Sequence, residues 1–230
     1  PTVTPSTTPP VFPAALVQLN EDSIVLSGND VTALTNQGTG GASYDLDTTK
    51  TGNIVKLEPG SSYHTGVSGN YFSADSALMP VDNFSIVALI EPSVISGTGD
   101  RTIFSAWPAA SDQGFVFGFN DGDAKLRIEY STTGSNSVVY DSTIAMSQSN
   151  HDKFYVKVYR NGTTVQFFTA PFPFTSWTQL GSDVTIAESG DFYTVSGDIE
   201  VGSKLAGTSE ILDKCYVYEV DVYTGNEVTE

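Results

Sequence analysis

Residues 154–169 read FYVKVYRNGTTVQFFT, two runs of β-branched and aromatic residues on either side of Asn161-Gly162. An Asn-Gly pair in that setting is the strongest short-range signal for a β-hairpin, because both residues accept the positive φ that a two-residue type I′ loop requires. Pairing outward from the loop sets Arg160 opposite Thr163, Tyr159 opposite Thr164, Val158 opposite Val165, Lys157 opposite Gln166, Val156 opposite Phe167 and Tyr155 opposite Phe168. Val156, Val158, Val165 and Phe167 then form an apolar face for a core. Tyr155, Lys157, Tyr159, Thr164, Gln166 and Phe168 form a mixed face, expected to meet water, a partner or a sugar.

Residues 114–130, GFVFGFNDGDAKLRIEY, repeat the construction around Asp121-Gly122. Phe119 falls opposite Ala124, Phe117 opposite Leu126 and Phe115 opposite Ile128, with Val116 facing Arg127 and Gly118 facing Lys125 on the other side. Cross-strand pairs of this kind contribute about 0.2–1 kcal/mol each, and an isolated hairpin is marginal, so the two apolar faces are expected to meet in stacked sheets.

The rest of the chain agrees. DNFSIVALIE at 82–91 is apolar on both alternating sides, as a central strand is, and Pro92 ends it. Further short strands are expected around 24–26, 31–34, 54–57, 71–72, 101–107, 138–144, 197–202 and 214–223, with irregular chain around Trp177 and no amphipathic helix of ten residues. The glycine loop at Gly38, Gly40 and Gly41 lacks the lysine and following helix of a phosphate cradle. Roughly a dozen short strands with turn signals between them mean an all-β sandwich or barrel.

Two segments are expected: an extended arm over 1–14 and one β-sandwich domain over 15–230. Residues 1–13, PTVTPSTTPPVFP, hold five prolines and suit neither a helix nor a central strand. Val3, Val11 and Phe12 are the arm's only sizeable apolar side chains, so it is expected to lay them on a sheet or a neighbouring subunit and anchor the domain there. A chain that begins at Pro1 is expected to be processed, truncated or part of a longer product.

With 27 acidic and 10 basic residues among 230, the chain carries a formal charge of -17. Such a surface cannot replace the counterions around nucleic acid, and it is repelled by anionic membranes; neither is expected as a partner. Cys215 is the single cysteine, which leaves no disulfide framework or cysteine metal cluster and reads as a small buried hydrophobe. Asn83 and Asn161 fit the glycosylation pattern, yet Asn161 is already explained by its turn, and neither is read as glycosylated.

Three stretches together resemble the concanavalin A-like lectin and glucanase superfamily, in particular its laminin G-like branch: YFSADSALMPVDNFSIVALIEP at 71–92, FYVKVYRNGTTVQFF at 154–168 and DIEVGSKLAGTSEILDKCYVYEVDVYTG at 198–225. In the last, Val217, Val220 and Val222 stand in the apolar places of a closing strand, and the likeness runs from about Leu16 to Gly225. It implies a two-sheet antiparallel jelly-roll β-sandwich. WTQLGSDVTI at 177–186 is similar to phrases of bacteriophage tail, fibre and head-decoration proteins that carry such a domain.

The glucanases of the superfamily place Glu-x-Asp-x-x-Glu on one strand; here Glu219-Val220-Asp221 begins that pattern, but Thr224 stands where the second glutamate belongs. Asp198 and Glu200 share a strand face at roughly 6.5–7 Å, a spacing open to an acid and base pair but equally that of two solvated carboxylates. His64 and His151 are far apart in turn-like stretches, and no Gly-x-Ser-x-Gly elbow occurs. No catalytic residue is therefore assigned. Calcium is the one cofactor left open, through Asn120, Asp121 and Asp123, although a hairpin turn explains the same residues; laminin G-like domains often hold a calcium on such loop oxygens.

Trp177, Tyr155, Tyr159 and Trp107 are the candidates for carbohydrate or partner contact, since exposed rings on a rigid sheet suit a pyranose. Trp177 follows a proline-rich loop and is the better surface candidate, whereas Trp107 lies beside Pro108 at a strand end. The first expectation is a non-enzymatic structural or adhesion module on a virion surface or outside the cell, held to other subunits by its arm in a multimeric setting and able to meet a host-surface glycan. The alternatives are a secreted or cell-surface carbohydrate-binding module and a glycoside hydrolase with an atypical acid pair.

Overall fold

A computed structural model describes residues 17–19, 24–27, 30–35, 37–39, 43–46, 62–65, 71–74, 83–96, 99–120, 122–187, 191–205, 207–210 and 212–225. The arm with Val3, Val11 and Phe12, the expected strand at 54–57, and Asp121 lie outside these residues.

All regular structure among the described residues is β, in two antiparallel sheets. The first runs β1 (Val17–Leu19), β17 (Asp213–Thr224), β7 (Phe84–Pro92), β12 (Phe154–Asn161), β13 (Thr164–Pro171) and β14 (Thr178–Gln179), with β5 (Ser62–Thr65) also on β17 and β15 (Val184–Thr185) also on β13. The second runs β11 (Val138–Asp141), β10 (Lys125–Gly134), β9 (Gln113–Asn120), β8 (Asp100–Ala106), β16 (Ile199–Val201), β6 (Phe72–Ala74), β4 (Ser43–Leu46), β3 (Asp30–Thr35) and β2 (Ile24–Ser27). β7 is central as its two-sided apolar text requires, lying between β17 and β12.

Both hairpins form, and both differ in register from the expectation by two residues. Asn161 pairs with Thr164 and Val158 with Phe167, so the loop is Gly162-Thr163. Gly162 alone takes positive φ there, at +57°, the pattern of a type II′ turn, which needs glycine only at its first position. The Gly162 N–H donates to Asn83 Oδ1 at 2.8 Å, a tie across the sheet that local sequence does not announce. In the other hairpin Asn120 pairs with Lys125 and Phe117 with Ile128, and the turn enters β10 through Ala124 at φ +54°.

A shift of two keeps every side chain on its face, because the strand repeat is also two. Val156, Val158, Val165, Phe167, Phe115, Phe117, Leu126, Ile128, Phe84 and Ile86 are accordingly all buried. At the centre, Phe192 lies 5.3 Å from Phe84, 5.3 Å from Phe115 and 5.1 Å from Tyr130, ring centre to ring centre. Phe192 comes from an irregular stretch with no strand signal of its own.

One further irregularity decides which side chains reach the outer face of the first sheet. In β17, Val217 pairs with Ile90 and Glu219 with Leu89, so Tyr218 is an extra residue, a β-bulge. Val217 and Val220 are three apart yet both face the core, and Glu219, Asp221 and Tyr223 are turned outward together.

Candidate functional site

The outer face of the first sheet gathers the rings. On β12, Tyr155, Lys157 and Tyr159 alternate away from the core, and Phe168 of β13 lies beside Lys157. After Pro171, residues 172–177 (FPFTSW) leave the sheet and return as β14, where Gln179 pairs with Phe168. Alternating prolines keep this stretch from continuing the ladder. Trp177, two residues before Gln179, therefore projects to the same outer side.

Tyr155 is the hub. Its ring centre lies 6.2 Å from Trp177 and 5.8 Å from Phe174, both edge to face, and 6.3 Å from Phe172. Phe174 meets Trp177 at 5.4 Å and Phe168 meets Trp177 at 6.4 Å. Edge-to-face pairs contribute about 0.5–1.5 kcal/mol each beyond their buried area, which holds the loop on the sheet. Tyr155, Phe174 and Trp177 are partly exposed, and Phe172 is 46% exposed. The indole Nε1 of Trp177 is buried with no hydrogen-bond partner.

Two lysines sit on these rings. Lys157 is fully buried, its Nζ 4.0 Å from the Phe168 ring centre and 4.7 Å from that of Trp177. Lys153, just before β12, has its Nζ 3.3 Å from the Tyr218 ring centre and 4.2 Å from that of Phe172. The bulge is what presents Tyr218, whose hydroxyl donates to Glu91 Oε2 at 2.8 Å.

Beside the rings runs an acidic row. Glu219 is partly exposed, and burial raises its pKa against the pull of Lys153. Asp221 is fully buried, and its Oδ2 accepts the Tyr223 hydroxyl at 2.9 Å. Burial first, and the charge of Glu219 second, push Asp221 up to about 8. Burial, with Glu219 and Asp221 adding to it, pushes the Tyr155 hydroxyl up to about 12, so it stays a protonated donor.

The expected contact residues are thus divided. Tyr155 and Trp177 are brought together. Tyr159 is only 9% exposed, paired with Ser85 and Gln166, and Trp107 is 4% exposed at the end of β8 in the other sheet, with Lys204 Nζ 4.9 Å from its ring centre. As placed, neither offers an open ring face. Phe172, Phe174, Lys153 and Tyr218 belong to the site and were not anticipated; the Phe-Pro-Phe spacing, two rings on one side of an extended segment, was the available signal. Nor is the mixed face of the hairpin simply wet, since Lys157, Tyr159 and Phe168 are all covered.

The other candidates resolve into local structure. Glu200 is 1% exposed and accepts Ser203 Oγ at 2.6 Å and the Gly207 N–H at 3.2 Å, while Asp198 is exposed, so one carboxylate is tied inside the fold and the other is solvated. Asn120 Oδ1 accepts the Gly122 N–H at 2.9 Å and Asp123 is exposed. Among the described residues no group of three His, Cys, Asp or Glu side chains could hold a metal ion. His151 is an exposed turn residue at φ +65°, and Cys215 is buried, its thiol pushed up to about 12.

A scan against protein-family models and a search of curated proteins find no match. Solved structures do match. A botulinum neurotoxin type G receptor binding domain superposes with a TM-score of 0.60 at 13% identity, over 94% of this chain and 49% of the other. Trypanosoma rangeli sialidase in complex with sialic acid gives 0.60 at 13%, over 96% of this chain and 33% of the enzyme. The CBM40 of Ruminococcus gnavus IT-sialidase, bound to α2,3-sialyllactose, gives 0.53 at 10%, over 94% of both chains. The chain is a jelly-roll β-sandwich. It spans about half of the toxin domain and a third of the sialidase, but nearly all of the CBM40. At these identities the likeness concerns the fold, and the virion setting has no counterpart in these three structures.

Proposed function

We propose that this jelly-roll sandwich is a non-enzymatic carbohydrate-binding module, and that Tyr155, Phe172, Phe174 and Trp177 form the shelf on which a glycan lies. The observation that carries the reading is the partly exposed cluster of four rings fixed on a rigid sheet, with Phe172 46% exposed at its rim. Ring faces cover the C–H face of a pyranose, and the adjoining Glu219 and Glu91 carboxylates accept its hydroxyls. The CBM40 that matches over 94% of both chains is bound to α2,3-sialyllactose, which favours a glycan over other ligands.

The module reading is preferred to an enzyme because the carboxylates are not disposed for hydrolysis. Asp221 is fully buried, Thr224 occupies the third place of the glucanase pattern, and Glu200 is tied to Ser203. A glycan array followed by calorimetry tests the proposal. Binding that is lost in Trp177→Ala and weakened in Phe172→Ala, with no release of reducing sugar, is the expected result. Binding indifferent to both substitutions would remove the shelf, and hydrolysis abolished by Glu219→Gln would replace the module with an enzyme.

A further inference from the structure

Resting on the carbohydrate-binding reading, we infer that the shelf takes uncharged glycans and rejects those carrying carboxylate or sulfate groups. Acidic groups are ordinarily recognised by the two-pronged guanidinium fork, or by a free ammonium at the contact. The chain has three arginines, all described, and none faces the shelf. Arg127, on β10 of the other sheet, is bound to Asp100 and holds Asp141 through Nε at 2.6 Å and NH2 at 2.9 Å. Arg101 donates to the Val94 carbonyl and lies over Phe119. Arg160 is 1% exposed on the core side, 4.6 Å from the Phe192 ring centre.

Among the described side chains, the two lysines at the shelf do not fill the gap. Lys157 is fully buried beneath Phe168 and Trp177 and meets no ligand. Lys153 is seated between Tyr218 and Phe172, and its charge already acts on Glu219. An acidic sugar would have to draw Lys153 away from two ring faces and from a carboxylate, and would then lie beside Glu219 and Glu91. The chain as a whole, at -17, repels anions before contact. A neutral pyranose meets none of these costs: its C–H face covers the rings and its hydroxyls donate to the same carboxylates.

The test is calorimetric titration of the intact chain with lactose and with α2,3-sialyllactose, and with a panel of neutral oligosaccharides and their acid-bearing counterparts, at low and moderate salt. A like-charge contact costs enough that each acidic member should bind about tenfold more weakly or worse than its neutral parent. The gap should narrow as salt rises and in Glu219→Gln, while Trp177→Ala loses both ligands. Equal or tighter binding of the acidic members, still dependent on Trp177, overturns the neutral preference and leaves the module standing. Binding of neither class, or binding indifferent to Trp177→Ala, overturns both.

Discussion

Tyr155 and Trp177 meet edge to face with ring centres 6.2 Å apart, one on a central strand of the first sheet and the other at the end of the loop that folds back over it. This contact gives a proline-broken segment a fixed seat. It also separates two jobs among the aromatic residues, which the following substitutions tell apart.

Phe115 has no exposed surface and touches Phe84, Phe104 and Phe192, whereas Phe172 is 46% exposed. Phe115→Ala should lower unfolding free energy by about 3–5 kcal/mol in a denaturant titration, the usual cost of emptying a core aromatic site. Phe172→Ala should cost less than about 1 kcal/mol while weakening glycan binding.

Asp221 gives the stability a pH dependence whose sign is fixed. Its pKa rises from 3.8 to about 8 in the fold, so the folded chain keeps a proton that the unfolded chain releases. Stability from this group is whole below the unfolded value and is lost as pH climbs through about 8. Glu219 shifts in the same direction. The melting temperature should therefore fall from mildly acid to mildly alkaline solution, and Asp221→Asn should flatten that decline. A decline of the same size in the variant would show that another group sets it.

Gly118 lies where β8 bulges, and a Cβ there would fall 1.8 Å from the Arg101 carbonyl oxygen. Gly118→Ala should cost about 3 kcal/mol or more, or prevent folding, because backbone must move. Gly162 has open space around it and only its positive φ to satisfy, so Gly162→Ala should cost roughly 1–2 kcal/mol. Equal effects on thermal unfolding would contradict the bulge geometry.

Much of the fold could be read from side-chain alternation. Both hairpins, the central place of β7 and the apolar face of each strand follow from period two, and survive a two-residue error in register. Turn position was less legible, because Asn161-Gly162 also serves a type II′ turn one residue on, once Asn83 holds the Gly162 N–H. Phe192 escaped notice because it joins the core from irregular chain. Lys157 is hard to place for a different reason: a lysine on a mixed face is compatible with water or a partner, and only the return of residues 172–177 buries it. At the site, Tyr155 and Trp177 could be anticipated from exposed-ring chemistry, but Tyr218 depends on a bulge that nothing local in KCYVYEVDVY marks, apart from valines three residues apart.

The chain has two tryptophans, and Trp107 is 4% exposed and away from the shelf, so Trp107→Phe leaves Trp177 as the sole indole reporter. Its emission, followed during titration with the neutral oligosaccharide that binds most tightly by calorimetry, tests the central claim directly. A saturable shift in Trp177 emission, with the dissociation constant found by calorimetry, is the predicted result. Heat of binding with unchanged Trp177 emission would place the glycan elsewhere and contradict the account.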